Sequence, residues 1–191
     1  MSHLTDRIPL LPESAAAVQA VLNDPKVKKV LEQAVSQEIF TIEEQIEICE
    51  VPAPPMREQK RAELIAQKIR SYGLEAEIDP VGNVIARFKG VEPDGPVCAV
   101  TAHMDNSFPE GTNTAVRRQS GKLFAPGISD ASRGLACMLQ VIRMLVNSGV
   151  QTKGRRHPLY RNGRAGSGRR SARRQAYFLQ LRHSYRRSIG H

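Results

Sequence analysis

The chain has 191 residues, 40% of them apolar, with no Trp, three Cys, and 28 basic against 19 acidic side chains. A body of about 150 residues buries ~68–70% of its unfolded surface without a disulfide framework, so the composition excludes a small stapled scaffold and fits one large domain or part of one. The formal charge of +9 does not describe that body, because residues 155–191 hold eleven Arg, no Lys and no acid, which leaves 17 basic and 19 acidic groups in the other 154 residues.

In chain order, SAAAVQAVLN (14–23) predicts a short helix. From Pro25 to about Glu50, Val27, Val30, Leu31, Val35, Ile39, Ile42 and Ile46 recur at helical spacing, which predicts one long amphipathic helix with a possible break near Phe40. Pro52, Pro54 and Pro55 end it, since proline lacks the amide donor and clashes with the preceding turn. A further helix is predicted over Arg57–Tyr72, with Ala62, Leu64, Ile65 and Ile69 inward and Gly73 just past its end. LEAEI and VIARF, joined by DPVGN, read as two strands around a turn. PVCAVTA (96–102) is continuously apolar, which predicts a strand buried on both faces of a parallel sheet. The last helix is predicted to begin near Asp130, to bury Leu135, Met138, Leu139, Ile142, Leu145 and Val146, and to close at Gly149. This alternation predicts an α/β fold with a mostly parallel sheet and helices on both faces.

Cys49, Cys98 and Cys137 stand singly in apolar surroundings without redox or zinc spacing, so all three read as ordinary buried cysteines of a reducing compartment. No apolar run approaches the ~20 residues of a membrane span, and MSHLTDRIPL lacks a basic-then-apolar signal pattern, so a cytoplasmic protein without a membrane partner is expected.

His103-Met104-Asp105 follows the apolar strand directly, where ligands bind in open α/β sheets. In extended backbone, residues i and i+2 point the same way, so Asp105 can hold the His103 ring while its other nitrogen faces a metal. The same triplet also suits a satisfied structural histidine. Asp130, at the predicted helix start, reads either as a cap for free amides or as a carboxylate that bridges two metal ions.

Taken together and in order, VPAPPMREQKRAELIAQKIRSYGL, the Gly82-Asn83-Val84 turn, AHMDNSFPEGT and LFAPGISDASRGLACMLQVIRML resemble the zinc-dependent peptidases and amidohydrolases related to tripeptide aminopeptidase, glutamate carboxypeptidase, aminoacylase and acetylornithine deacetylase. The resemblance runs from about Glu50 to Gly154. It implies the N-terminal part of a co-catalytic zinc hydrolase that cleaves peptide or N-acyl amide bonds with metal-activated water, with two zinc ions and a homodimer in intact relatives. It further implies that His103 binds one metal, that Asp105 orients His103 and supports catalysis as the catalytic residue, and that Asp130 bridges the two ions and is followed by a cis bond to Ala131. Many relatives carry a second acid where this chain has Ala131.

The larger departure lies downstream. The family's Glu-Glu pair, general base and metal ligand, would fall near Arg164 and Ala165, neither of which can serve. Later ligands and most of the lid domain lie past this chain's length in relatives. A truncated catalytic domain (1–154), inactive or impaired, with a disordered basic tail (155–191) is therefore expected. The tail reads as an out-of-frame translation: codons for RRHPLYRNG can be chosen so that starting one base later spells Gly-Asp-Ile-Leu-Phe-Ile-Gly-Thr-Val, the buried strand of the family. Its loss would leave an unpaired sheet edge. The alternative is a non-catalytic protein whose Arg/Tyr-rich tail binds nucleic acid through phosphate attraction and stacking.

Overall fold

The computed structural model describes residues 11–92, 98–152 and 154, together with the backbone of 156–161. Prolines open the first two helices, α1 (Pro12–Asn23) and α2 (Pro25–Ser36), each at a first-turn position whose missing amide has no helical partner to lose. Between them Asp24 caps α2, its Oδ1 accepting from the amides of Lys26 (2.8 Å) and Val27 (3.3 Å). The expected long helix is thus divided: α2 ends at Ser36, and α3 (Glu38–Glu50) starts beyond Gln37. Helical spacing was a sound guide to conformation here but a poor one to burial. Neither α1 nor α2 buries a residue, and Leu31, Val35 and Ile39 are exposed, because the elements packed against α2 cover little of its apolar stripe.

After the proline turn, α4 (Gln59–Ser71) buries Arg61, Ala62, Ile65, Ala66 and Ile69, whereas Leu64 is only partly buried. Gly73, at φ +91°, reverses the chain into a hairpin of β1 (Ala76–Ile78) and β2 (Val84–Ala86). Asp79 shapes its turn, its carboxylate accepting from the amides of Val81 and Asn83 and from the Asn83 side chain. β3 (Cys98–His103) follows, then a hairpin of β4 (Arg117–Gln119) and β5 (Lys122–Phe124), and α5 (Gly134–Ser148), which Gly149 closes at φ +64°. The β4–β5 hairpin was not foreseen; Ser120-Gly121, both at positive φ, is the turn signal that marks it.

The main sheet has the order β1-β2-β6-β3, where β6 is Arg156–Arg161. The fold is α/β, and parallel pairing among the described strands is confined to β3 and β6; β1–β2 and β2–β6 are antiparallel. The helices in substantial contact with the sheet are α4, against β1 and β2, and α5, against β3 and β6, and they also touch each other. Leu135, Leu139 and Ile142 of α5 meet Ile65 and Ile69 of α4, Val84 and Ala86 of β2, and Met104 in one apolar core.

Two expectations require correction. The stretch after Gly154 is not a missing strand: the backbone of Arg156–Arg161 runs between β2 and β3 and pairs with both. The tail from residue 162 lies outside the described residues. Among the described strands β3 ends the order, with β6 as its one neighbour, and its residues 98–101 are exposed and not buried on both faces. Cys98 is exposed among them; Cys49 is buried and Cys137 half-buried.

A buried charged cluster joins three helices. Glu44 of α3 receives Arg143 of α5 (2.6 Å) and the Tyr72 hydroxyl, and Lys68 of α4 lies 3.7 Å away. The Arg143 guanidinium lies over the Phe40 ring at 4.2 Å. Burial pushes the Tyr72 phenol well above its usual range, and its hydrogen bond to Glu44 adds to the shift. An unfolded Tyr ionises near ~10. The stability Tyr72 contributes is therefore complete below about pH 10 and is lost as pH rises toward the folded value. Tyr72→Phe should cost about 1 kcal/mol near neutrality and flatten the decline above pH ~10 in urea titrations. Arg143→Met, which leaves a carboxylate buried with less compensation, should cost about 3–5 kcal/mol in the same assay.

Candidate functional site

The site forms where the last residue of β3 meets the turn before α5. His103 ends the strand, and Met104, Asp105 and Asn106 leave it fully buried. The Asn106 amide donates to Ala53 O (2.9 Å), which fastens this exit to the proline turn after α3. Opposite runs a wide turn, Ile128–Arg133, in which Asp130 alone takes a non-helical conformation (φ −115°, ψ 101°), and the Asp130–Ala131 bond is cis. Gln45 of α3 locates that turn: its amide donates to Ile128 O (2.8 Å), and its carbonyl accepts from Arg133 (3.1 Å). Cys49, whose thiol burial pushes up, points its sulfur at Pro126 O (3.5 Å).

These supports bring together all three residues singled out in the sequence. Asp105 Oδ1 lies 3.1 Å from His103 Nδ1, and His103 Nε2 lies 3.0 Å from Asp130 Oδ1. Side-chain exposure grades outward across the group, from 1% at Asp105 through 27% at His103 to 55% at Asp130. The N-cap position of α5 is Arg133, and Asp130 lies four residues before the helix begins at Gly134.

Hydrogen-bond logic fixes how the imidazole is used. Nδ1 faces two acceptors of Asp105, the carboxylate and the backbone carbonyl, both at 3.1 Å, so it must carry a proton. In neutral imidazole the other nitrogen then presents a lone pair. That lone pair would point at a carboxylate oxygen 3.0 Å away, a repulsive contact unless a positive centre, a proton or a metal ion, lies between them.

The donor set suits a metal in part. Two ligands of one tetrahedral zinc, each bound at ~2.0–2.1 Å, stand about 3.3 Å apart, close to the separation seen here. Bracing of the second ring nitrogen by a carboxylate is the usual support of a metal-binding histidine. A catalytic zinc takes about three protein ligands, and among the described residues no three His, Cys, Asp or Glu side chains converge to hold an ion. Positions 164 and 165, where the resemblance would put an acidic pair, lie outside the described residues.

Comparison with known proteins agrees with the geometry. Residues 83–157 match the model of Peptidase family M28. A Pyrococcus furiosus protein named as a candidate LysW-lysine/LysW-ornithine hydrolase is 35% identical over 102 residues, covering 51% of this chain and 29% of that protein. Among solved structures, human carnosine dipeptidase 1 aligns with a TM-score of 0.60 at 12% identity, over 74% of this chain and 36% of its own. A dinuclear metal-binding peptidase of the M20 family from Bacillus subtilis aligns at 0.54 and 21% identity, over 71% and 38%. Over this part of its length the chain is similar to peptidases and amidohydrolases in sequence, and to metallopeptidases in fold. These relatives are hydrolytic enzymes, and the chain spans less than a third of the length of the curated relative it matches.

Gly127 went unnoticed in the sequence, although glycine ahead of a turn is the available signal. It sits at φ +86°, and a Cβ there would stand 3.3 Å from Asn106 Nδ2 and 3.4 Å from Asn106 Cβ. Gly127→Ala should cost about 1–3 kcal/mol in thermal or chemical melts, from left-handed strain and from pressure on the residue that follows Asp105.

Proposed function

We propose that this chain carries the first part of a co-catalytic zinc hydrolase site, in a cytoplasmic peptidase or N-acyl amidohydrolase lineage. The observation that carries the reading is the His103 ring, held as a donor by Asp105 on one side and facing a carboxylate on the other, so that a cation is called for between Nε2 and Asp130. In this reading His103 and Asp130 would hold the metal, with Asp130 shared between two ions, and Asp105 sets the tautomer and supports catalysis. A divalent ion bound here supplies polarisation of a substrate carbonyl and a lowered water pKa. The residues themselves do the rest: buried Asp105 keeps the ring oriented, and exposed Asp130 keeps the site open to a peptide or N-acyl amino acid.

Two donors hold such an ion weakly, so the chain is inactive or impaired as a hydrolase on its own described residues. The division at Gly154 is part of the proposal. The family match ends at residue 157, and residues 155–191 hold eleven Arg and no acid, which supports an out-of-frame origin for the basic tail even though the backbone of 156–161 occupies a strand position. The tail's eleven Arg favour a second reading, nucleic-acid binding through residues 155–191.

Zinc or cobalt titration of the full chain, followed by assay on dipeptides and acyl amino acids, tests the first reading. Weak uptake is expected, abolished by His103→Ala or Asp130→Ala and reduced about 10–100-fold by Asp105→Asn, with hydrolysis near background. No uptake, or uptake indifferent to His103→Ala, would overturn it. Salt-sensitive RNA binding that vanishes on deleting 155–191 would establish the second.

A further inference from the structure

Arg61 is a fully buried charge that the functional reading leaves without a task. It lies on α4 in the same four-residue spacing as Ile65 and Ile69, a position at which an aliphatic side chain would serve packing. Burial lowers its pKa to about 10, against the opposing influence of Cys49, Asp105 and Glu58. Removing a guanidinium from water is costly, and a well-packed apolar residue is often at least as stabilising. The explanation therefore lies in what the fork contacts.

Its contacts are backbone carbonyls. Nε and one terminal nitrogen both donate to Val51 O, at 3.0 and 2.6 Å, and the other terminal nitrogen donates to Met104 O at 2.7 Å. Met104 is the residue between His103 and Asp105, so the direction of its carbonyl sets the plane of the peptide from which Asp105 departs. Val51 stands two residues before Ala53, whose carbonyl receives the Asn106 amide. Segments 51–53 and 104–106 are thus joined on both sides of Asp105, once through a guanidinium and once through backbone.

We propose that Arg61 is a positioning residue for the candidate metal site: by clamping the Val51 and Met104 carbonyls it holds Asp105 against His103 Nδ1, and so presents Nε2 toward Asp130. The inference rests on the metal-hydrolase reading for the ion, and on this chain's own geometry for the ring. Lysine cannot replace this function, because one ammonium lacks the planar fork that reaches two carbonyls at once.

Nitrogen NMR of the full, metal-free chain with labelled histidine separates the two dependences, the His103 signal being identified by its loss in His103→Gln. Read under conditions where the ring is neutral, wild-type His103 should show one tautomer, protonated at Nδ1; in Arg61→Met it should show a mixture. Arg70→Met is the control, since Arg70 is a second guanidinium of α4 that bonds a carbonyl, Ala76 O, away from the site. It should lower the melting temperature and leave His103 unchanged. Cobalt affinity should fall about 10–100-fold in Arg61→Met and stay constant in Arg70→Met. Should Arg61→Met not fold, Arg61→Lys retains the charge without the fork and must show the same tautomer mixing. A single Nδ1-protonated tautomer persisting in either folded Arg61 variant, or absent from the wild type, would overturn the proposal. A wild type with the fixed tautomer but no cobalt uptake would overturn the metal-hydrolase reading and leave the role of Arg61 standing.

Discussion

The arrangement of this molecule turns on one imidazole held between two carboxylates. A neutral ring that donates from Nδ1 to Asp105 turns the lone pair of Nε2 toward a carboxylate oxygen of Asp130, so the contact calls for a positive centre, a proton or a metal ion, between them. Keeping that contact requires two backbone segments, the exit of β3 and the turn before α5, to be held in register with each other. Much of the polar bonding in the interior serves this. Gln45 places the turn, the Ala53 carbonyl places the exit, and the close approach of Gly127 to Asn106 sets their separation.

Polar groups do this work because apolar contacts lack direction. The core of Ile65, Ile69, Leu135, Leu139 and Ile142 presses α4 and α5 together and onto the sheet, but such packing tolerates small shifts of one element past another. The buried charges remove that freedom. Glu44 and Arg143 set α3 against α5, and Arg61 fastens α4 to the chain on either side of it. Both guanidiniums are taken from water at a cost that their geometry must offset. Both are found at junctions between elements and not within one.

The sheet shows the opposite character. β3 follows a continuously apolar reading, yet its first four residues are exposed, because burial on two faces needs neighbours on both sides and among the described strands β3 pairs with β6 alone. A continuous apolar run reports a strand suited to coverage; it does not report which element lies against it. The same holds for α1 and α2, whose helical period is clear and whose apolar residues are nonetheless exposed.

Local chemistry was therefore readable from residues alone. Prolines at 12 and 25 start helices, those at 52, 54 and 55 follow the end of one, and Gly73 and Gly149 close two more, because these effects act within a single turn of backbone. His103 and Asp105 could be paired from strand geometry, since i and i+2 share a face. Three matters belonged to tertiary structure. Asp130 meets His103 only because α3 and the core hold the turn against the strand exit. Arg61 reads as a misplaced charge on an apolar stripe until the Val51 and Met104 carbonyls are seen to converge on it. The place of residues 156–161 between β2 and β3 was likewise hidden, because strand order depends on long-range pairing that no local pattern encodes.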